Sequence, residues 1–220
     1  MTAICLPAGT DVAEMALFDV DALPRLLPRD VEGFAQLTVE ERLVRFPTGA
    51  DGGYLLHLFV NEAIPKDTER YCISADKLTG HFHTTEGRIA FGGMESAYAE
   101  FRPNANIRSD GLIAPGRYAY TAYRTEFPDE SVAQALRVAR TASERWLDRA
   151  PLLATLVLLA ATVILITSQQ FVPAGLVLLG GLVAIKWLRR LPGYRDLVAR
   201  RELAQLAFPS IVIALRSDPF

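Results

Sequence analysis

The sequence predicts an α+β fold in which a β-rich, sandwich-like soluble domain is joined to a two-helix transmembrane hairpin with flanking helices. Three observations support this prediction. Short apolar or alternating runs separated by turn residues fill 15–126 and favour strands. No charged residue lies between Ala150 and Ile185, a stretch longer than the buried helix of a soluble core. The segment Arg137–Arg201 holds ten basic and three acidic residues, although the whole chain has a net charge of −2.

The strands of the soluble part are predicted from short apolar runs that end at turn residues. They are placed at Leu43–Phe46, Tyr54–Val60, Arg70–Ser74, His81–Thr84, Arg88–Phe91 and Arg117–Glu126. Glycine-containing turns at 49–53 and 85–87 predict that the first two, and then the fourth and fifth, form hairpins. The last strand carries three tyrosines, which suit a half-buried pleated surface.

Helices are predicted at fewer places. Asp19–Leu27 fits a short helix interrupted by proline, and a longer helix begins at Pro128-Asp129-Glu130, where acidic residues suit the dipole, and runs to Arg149. A further helix is expected at Tyr194–Leu206. The segment 94–116 has little periodicity and is interpreted as a long loop.

The hydrophobic stretch is too long for one perpendicular crossing, so we divide it at the polar residues 168–170 into helices at 151–167 and 171–187. Each reaches roughly 25 Å at about 1.5 Å rise per residue, the low end of a bilayer crossing. A re-entrant hairpin and a buried hairpin of a soluble protein are the alternatives. Small residues in the second helix, Gly175, Gly180, Gly181 and Ala184, would allow close helix packing or oligomerisation.

The flanks of the hairpin predict its orientation. Basic residues lie at both outer ends and the connecting turn is uncharged, which is typical of a multi-pass cell-membrane protein with both termini in the cytoplasm. The residues expected at the membrane interface are Trp146, Arg149, Lys186, Trp187, Arg189 and Arg190. Met1–Pro7 has no basic region and no long apolar core, so a cleaved signal peptide is not expected.

These elements predict four regions. A β-rich cytoplasmic domain occupies 1–128, a juxtamembrane helix 129–150 and the hairpin 151–187, and a cytoplasmic tail occupies 188–220. In the tail, Ser210–Leu215 is apolar enough to require burial, and we expect it to return as a strand to the N-terminal domain.

Few residues suggest chemistry. His81 and His83 would share one face of a strand, and His57 lies in another, so these three are candidate metal ligands or partners of a carboxylate such as Glu86 or Glu95. No third ligand lies at a spacing typical of a metal site. Neither phosphate-binding loops nor nucleophile motifs occur. Catalytic residues, a metal and a cofactor are therefore not predicted. Cys5 and Cys72 match no metal or redox spacing.

The loop at 94–116 is the predicted binding surface, because mixed aromatic, arginine and carboxylate side chains suit a protein partner. Its candidate residues are Glu95, Tyr98, Glu100, Phe101, Arg102, Arg108 and Asp110. A merely solvated connection is the alternative interpretation. The chain outside Arg137–Arg201 is strongly acidic, which disfavours a nucleic-acid partner.

The first hypothesis is therefore a non-enzymatic, membrane-anchored binding protein whose partners are the lipid bilayer and another protein. One concrete version is an immunity or inhibitor protein that neutralises a toxin or effector at a bacterial inner membrane. A membrane-tethered enzyme with a histidine–carboxylate site and a structural subunit of a membrane complex are the alternatives.

Overall fold

The computed structural model describes residues 3–27, 31–102, 104, 106–139 and 144–218, with the side chains of 31, 32 and 145–148 outside that description. The chain forms two compact units. A β unit comprises 1–127 together with 208–220, and a helical unit comprises 128–207.

The β unit contains two sheets in the part of the chain that the structure describes. Their strands are β1 (Ile4–Thr10), β2 (Glu14–Asp19), β3 (Leu43–Pro47), β4 (Gly52–Val60), β5 (Leu78–Thr84), β6 (Arg88–Gly93), β7 (Arg108–Leu112), β8 (Gly116–Arg124) and β9 (Ile211–Ser217). The five-stranded sheet has the order β1-β4-β9-β8-β5, and the four-stranded sheet has the order β3-β2-β6-β7. Helices α1 (Val31–Val39) and α2 (Lys66–Glu69) and three short 3₁₀ helices, Val20–Ala22, Ser74–Asp76 and Met94–Ser96, connect them.

One hydrophobic cluster holds both sheets together. It joins side chains of the five-stranded sheet, such as Leu58 and Ile213, to side chains of the four-stranded sheet, such as Leu17 and Phe91. A second cluster buries the other face of the four-stranded sheet under Leu37 of α1 and the segment that follows β6. Because both faces are covered, β2 is buried along nearly its whole length and shows no alternation.

Strand β9 lies inside the five-stranded sheet. It pairs in parallel with β4 and antiparallel with β8, and Ile211, Ile213 and Leu215 are at most 1 % exposed. The helical unit is therefore inserted between two neighbouring strands. The rings of Phe127 and Phe208, which end and resume the β unit around this insertion, contact each other at 5.2 Å between centroids.

Both predicted hairpins are wrong. Strand β3 pairs with β2, whereas β4 pairs with β1 and β9; β5 pairs with β8, whereas β6 pairs with β2 and β7. At each turn the chain passes from one sheet to the other. Gly49 and Gly87 adopt positive φ at these passages, and a Cβ at Gly87 would collide with the carbonyl of Ile113. Glycine therefore permits a change of chain direction here. The same residue pattern is equally compatible with a hairpin turn, so the sequence does not distinguish the two.

Other local predictions also change. The predicted loop 94–116 contains strand β7 and the start of β8, and the predicted strand Arg70–Ser74 contributes only an isolated bridge from Cys72 to Thr125. Asp19–Leu27 forms the end of β2 and a single 3₁₀ turn in place of a helix. β7 has the sequence Arg-Ser-Asp-Gly-Leu and only one buried residue, so it lacks the apolar alternation by which strands are predicted.

The helical unit contains α3 (Asp129–Val138), α4 (Arg145–Thr167), α5 (Phe171–Leu188) and α6 (Pro192–Gln205). Two segments, Arg149–Thr167 and Phe171–Leu188, are long and apolar enough to cross a membrane. In each of them, only 6 % of an apolar stretch of 18 residues is buried. A core helix of a soluble protein would bury most of its apolar side chains. The mixed α+β fold with two sheets and two such helices is confirmed, whereas the sandwich arrangement and the predicted domain boundaries stay predictions.

Helices α4 and α5 pack together at a small residue. Leu158 is 8 % exposed, and a Cβ placed on Gly181 would collide with its side chain, whereas a Cβ on the neighbouring Gly180 would meet nothing within 4 Å. The absent side chain at Gly181 therefore makes room for Leu158, as small residues do where apolar helices approach closely.

We expect Gly181→Leu to separate α4 from α5 and Gly180→Leu to leave them packed. Cysteine cross-linking between the two helices in the detergent-purified protein measures this: the yield should fall several-fold in Gly181→Leu only. Adding Leu158→Ala should restore it by returning the lost space. Equal yields in the two glycine variants would contradict the packing.

Candidate functional site

The outer edge of β5 is an open strand edge. Antiparallel pairing bonds alternate residues to the neighbouring strand, and the backbone N–H of His83 donates instead to the carbonyl of Glu41, at 2.7 Å. Residues 79, 81 and 83 therefore direct their backbone groups away from β8. Thr79 and His81 are exposed, and no bond to the outward backbone groups of either is found within the described residues. This edge offers donors and acceptors to an added strand.

A charged cluster lies beside this edge. The Arg117 guanidinium donates to both carboxylate oxygens of Glu41, each at 2.6 Å, and to Asp218, at 3.1 Å. His81 lies between the same carboxylates, with Nδ1 at 3.8 Å from Glu41 and Nε2 at 3.7 Å from Asp218. The side chains are roughly one-third exposed. Two carboxylates share one guanidinium, so the cluster keeps net negative charge for polar contacts with a partner.

Four segments supply this cluster: the turn after α1, strand β5, strand β8 and the residue that follows β9. Glu41 adopts a positive φ of 60°, a strained geometry for a residue with a side chain. None of Glu41, Arg117 and Asp218 was predicted, because only strand register brings them to His81 and no sequence spacing signals that. Among the described residues no group of three or more potential ligands could hold a metal ion.

The pKa of Glu41 lies below its ordinary value, chiefly because Arg117 donates a hydrogen bond to its carboxylate and secondarily through nearby positive charge, while burial acts in the opposite direction. A carboxylate whose pKa is lower in the folded state stabilises the fold above its unfolded value of about 4.3. That contribution is lost as the pH falls through the folded pKa.

We therefore expect wild-type protein to lose more thermal stability than Glu41→Gln between about pH 6 and about pH 3. Melting temperatures of the β unit across this range provide the measurement. Glu40→Gln removes an equal charge one residue away, on a side chain that accepts from Gln36, whereas Arg117 donates to Glu41 and Asp218, and serves as control. Parallel curves for wild type and Glu41→Gln would refute the coupling.

Two of the predicted partner-binding residues form an internal contact. Arg108 is 3 % exposed and donates to Asp110, at 2.7 Å, and to the carbonyl oxygens of Ser96 and Tyr98, each at 3.3 Å. Its guanidinium also lies 5.1 Å from the centre of the Phe18 ring. Arg108 therefore fixes the segment after β6 to the sheet and is too deeply buried to contact a partner.

The remaining residues of the predicted loop divide into two groups. Glu95 accepts from the Thr10 hydroxyl and the Asp11 amide, and Tyr98 packs edge-on against Phe101, so these side chains order the segment. Glu100 and Arg102 are exposed, and Asp110 is exposed as well although it accepts from Arg108. Binding of a protein partner by this surface stays a prediction, and only the exposed side chains are available to make the contact.

The three histidines do not form one site. His57 lies on β4, and β9 and β8 separate β4 from β5. At about 4.8 Å between strands, His57 is roughly 14 Å from the β5 backbone. Glu86 lies exposed in the turn after β5, and Glu95 is engaged with residues 10 and 11. Among the described residues, the carboxylates within 4 Å of the His81 ring nitrogens are those of Glu41 and Asp218, and not those of the predicted Glu86 or Glu95.

The predicted interface residues lie at the ends of the apolar helices. Arg149, Lys186, Trp187, Arg189 and Arg190 are all exposed. Trp146 lies in the first turn of α4, and its side chain falls outside the described part.

No family model and no curated protein matches this chain. Two solved structures are similar to part of this chain. A protein described as crocagin biosynthetic gene J is 17 % identical, with a TM-score of 0.40 over 56 % of this chain and 75 % of that one. ComJ from Bacillus subtilis, an inhibitor of the DNA-degrading activity of NucA, is 13 % identical, with a TM-score of 0.36 over 56 % of this chain and 84 % of that one. At TM-scores below 0.5, neither likeness bears on function.

Proposed function

We propose that this protein is a non-enzymatic binding protein, held at the cytoplasmic face of a membrane by α4 and α5, whose β unit captures another protein. The observation that carries the proposal is the insertion of two exposed apolar helices between β8 and β9, neighbouring strands of one sheet.

This connectivity restricts the topology. A chain that leaves a folded unit and returns to it must cross a bilayer an even number of times. Apolar helical segments of 19 and 18 residues reach roughly 28 and 27 Å at about 1.5 Å per residue, close to the thickness of the hydrocarbon core. Two crossings satisfy both constraints and expose the apolar side chains to lipid.

Charge supports the orientation. The helical unit contains ten basic and six acidic residues, and its basic side chains lie outside the connecting turn 168–170. Positively charged flanks favour the cytoplasmic side. The β unit would then lie in the cytoplasm.

The β unit itself supports a protein partner. It contains nineteen acidic and thirteen basic residues, a net charge of −6, which repels nucleic acid and attracts basic protein surfaces. The open edge of β5 can add an extended segment of such a protein, and the cluster beside it, with two carboxylates against the one guanidinium of Arg117, leaves net negative charge for a basic side chain. In its most specific form the partner is a toxin or effector acting at the inner membrane, which this protein neutralises as an immunity or inhibitor protein does.

Impermeant thiol labelling of intact cells tests the anchor. In a background where Cys5 and Cys72 are serine, Ser168→Cys should react from outside, and Asp67→Cys, on exposed α2, only after lysis. Labelling of both positions only after lysis would eliminate the spanning model.

The edge is tested by proline. Thr79→Pro removes an outward N–H without removing a ladder bond, whereas Thr79→Val retains that N–H. We expect the yield of the partner that is cross-linked to this protein in cells to fall at least tenfold in Thr79→Pro and to stay unchanged in Thr79→Val. Retention in both variants, or loss of self-association alone, would contradict the proposed partner site.

A further inference from the structure

The end of the helical hairpin opposite the turn carries a set of exposed basic side chains. Helices α4 and α5 are joined by a three-residue turn and pack through Leu158 and Gly181, so they run antiparallel. With residue 158 level with residue 181, Arg149 on α4 is nearly level with Arg190, in the turn two residues after the end of α5, and Lys186 is about one turn away within α5. Arg149, Lys186, Arg189 and Arg190, called the basic collar below, therefore surround the same end of the pair.

The positive charges of the basic collar are not neutralised by salt bridges in the described part of the chain. All four side chains are exposed, and no salt bridge involves them in the described part of the chain. By contrast, Arg200 on α6 is paired with Glu144. Asp148 is the acidic residue nearest to the collar in the sequence. Four cations against one carboxylate leave a net positive charge where the apolar helices end.

The collar also lies at a boundary between apolar and polar surfaces. Trp187, between Lys186 and Arg189, is 66 % exposed, and an exposed tryptophan at this position suits the headgroup region of a bilayer. Guanidinium groups donate two parallel hydrogen bonds to a phosphate. An apolar helix end, an amphipathic ring and unpaired guanidinium groups together match a phospholipid, which has both an acyl chain and a phosphate.

We propose that the basic collar is a binding site for anionic phospholipid headgroups, so that the protein gathers anionic lipid around the base of its hairpin. This inference rests on the proposed membrane insertion. Basic residues at an anionic membrane surface each contribute about fivefold in affinity. The site would thus hold the protein on anionic regions of the membrane, where a partner with a basic surface also accumulates.

Tryptophan quenching by brominated lipid tests the proposal. The chain contains two tryptophans, and Trp146→Phe leaves Trp187 as the reporter within the collar. The full-length protein is reconstituted in vesicles of equal phosphatidylglycerol and phosphatidylcholine, with bromine on only one of the two lipids. Overall composition is then constant, and the ratio of the two quenching efficiencies measures which lipid lies next to Trp187.

We expect brominated phosphatidylglycerol to quench Trp187 several-fold more efficiently than brominated phosphatidylcholine. The ratio should fall close to one in Arg189→Gln/Arg190→Gln, and partly in Arg149→Gln, which alters the other helix. Arg216→Gln removes an exposed charge from β9 and should leave the ratio unchanged. Because each ratio is taken within one variant, differences in intrinsic fluorescence cancel.

The outcomes separate the two proposals. Equal quenching by both lipids in the unmodified collar would overturn the lipid site and leave the membrane anchor intact. Absence of quenching by either lipid would overturn the anchor, and the lipid site with it. Loss of the preference on adding inorganic phosphate at low concentration would assign the collar to soluble phosphate and overturn the lipid assignment.

Discussion

Replacing Ile213 by aspartate is expected to unfold the β unit while the helical unit keeps its helices. Ile213 is fully buried in β9, level with Leu58 of β4 and Ala122 of β8. Removing a buried isoleucine side chain to alanine costs about 2–5 kcal/mol, and an unpaired buried carboxylate adds several more. The sum is comparable to the roughly 5–15 kcal/mol by which a domain is stable.

Limited proteolysis of the detergent-purified protein, with circular dichroism in parallel, measures this effect. Cleavage sites in the β unit should become accessible and the strand signal should decrease, while the helical signal persists. Arg216→Asp introduces the same side chain three residues later on the exposed end of β9 and serves as the matched control. A protease-resistant Ile213→Asp protein would mean that β9 is dispensable and would refute its central position.

Replacing Asp19 by alanine is expected to destabilise the β unit by about 3–5 kcal/mol, the cost of breaking a buried ion pair from one side. Asp19 is fully buried at the end of β2. Its carboxylate accepts from Arg42 at 2.8 Å, from the Thr84 hydroxyl at 3.2 Å, and from the amide and hydroxyl of Thr85, each at 3.2 Å. The change leaves these donors without their acceptor and disconnects β2 from the passage between β5 and β6.

Urea unfolding followed by pulse proteolysis gives the free energy difference. Glu14→Ala is the matched control, because Glu14 forms an ion pair with Arg45 at 2.7 Å at the opposite, partly exposed end of the same strand. An exposed pair contributes less than about 1 kcal/mol. If both variants lost the same stability, the buried network around Asp19 would be no more important than a surface pair.

Local chemistry made some elements predictable. The uncharged run, its polar interruption at 168–170 and its basic ends are properties of consecutive residues, so two apolar helices follow from them directly. Strand β8 was predicted because its tyrosines and apolar residues suit a half-buried surface. Strand β7 and the edge strand β1 were not predicted, since Pro7, Gly9 and Gly111 interrupt any apolar alternation.

The sequence by itself determined the α+β class and the existence of two helices apolar enough for a membrane, because both depend on the composition of short windows. Only the tertiary structure decided which strands pair, because glycine turns at 49–53 and 85–87 serve a hairpin and a passage between sheets equally well. It likewise brought His81 to Glu41, Arg117 and Asp218, and buried Arg108 among backbone carbonyls. Those contacts join residues up to 137 positions apart, from His81 to Asp218, and the free energy that selects such pairs comes from burying both sheets in one core.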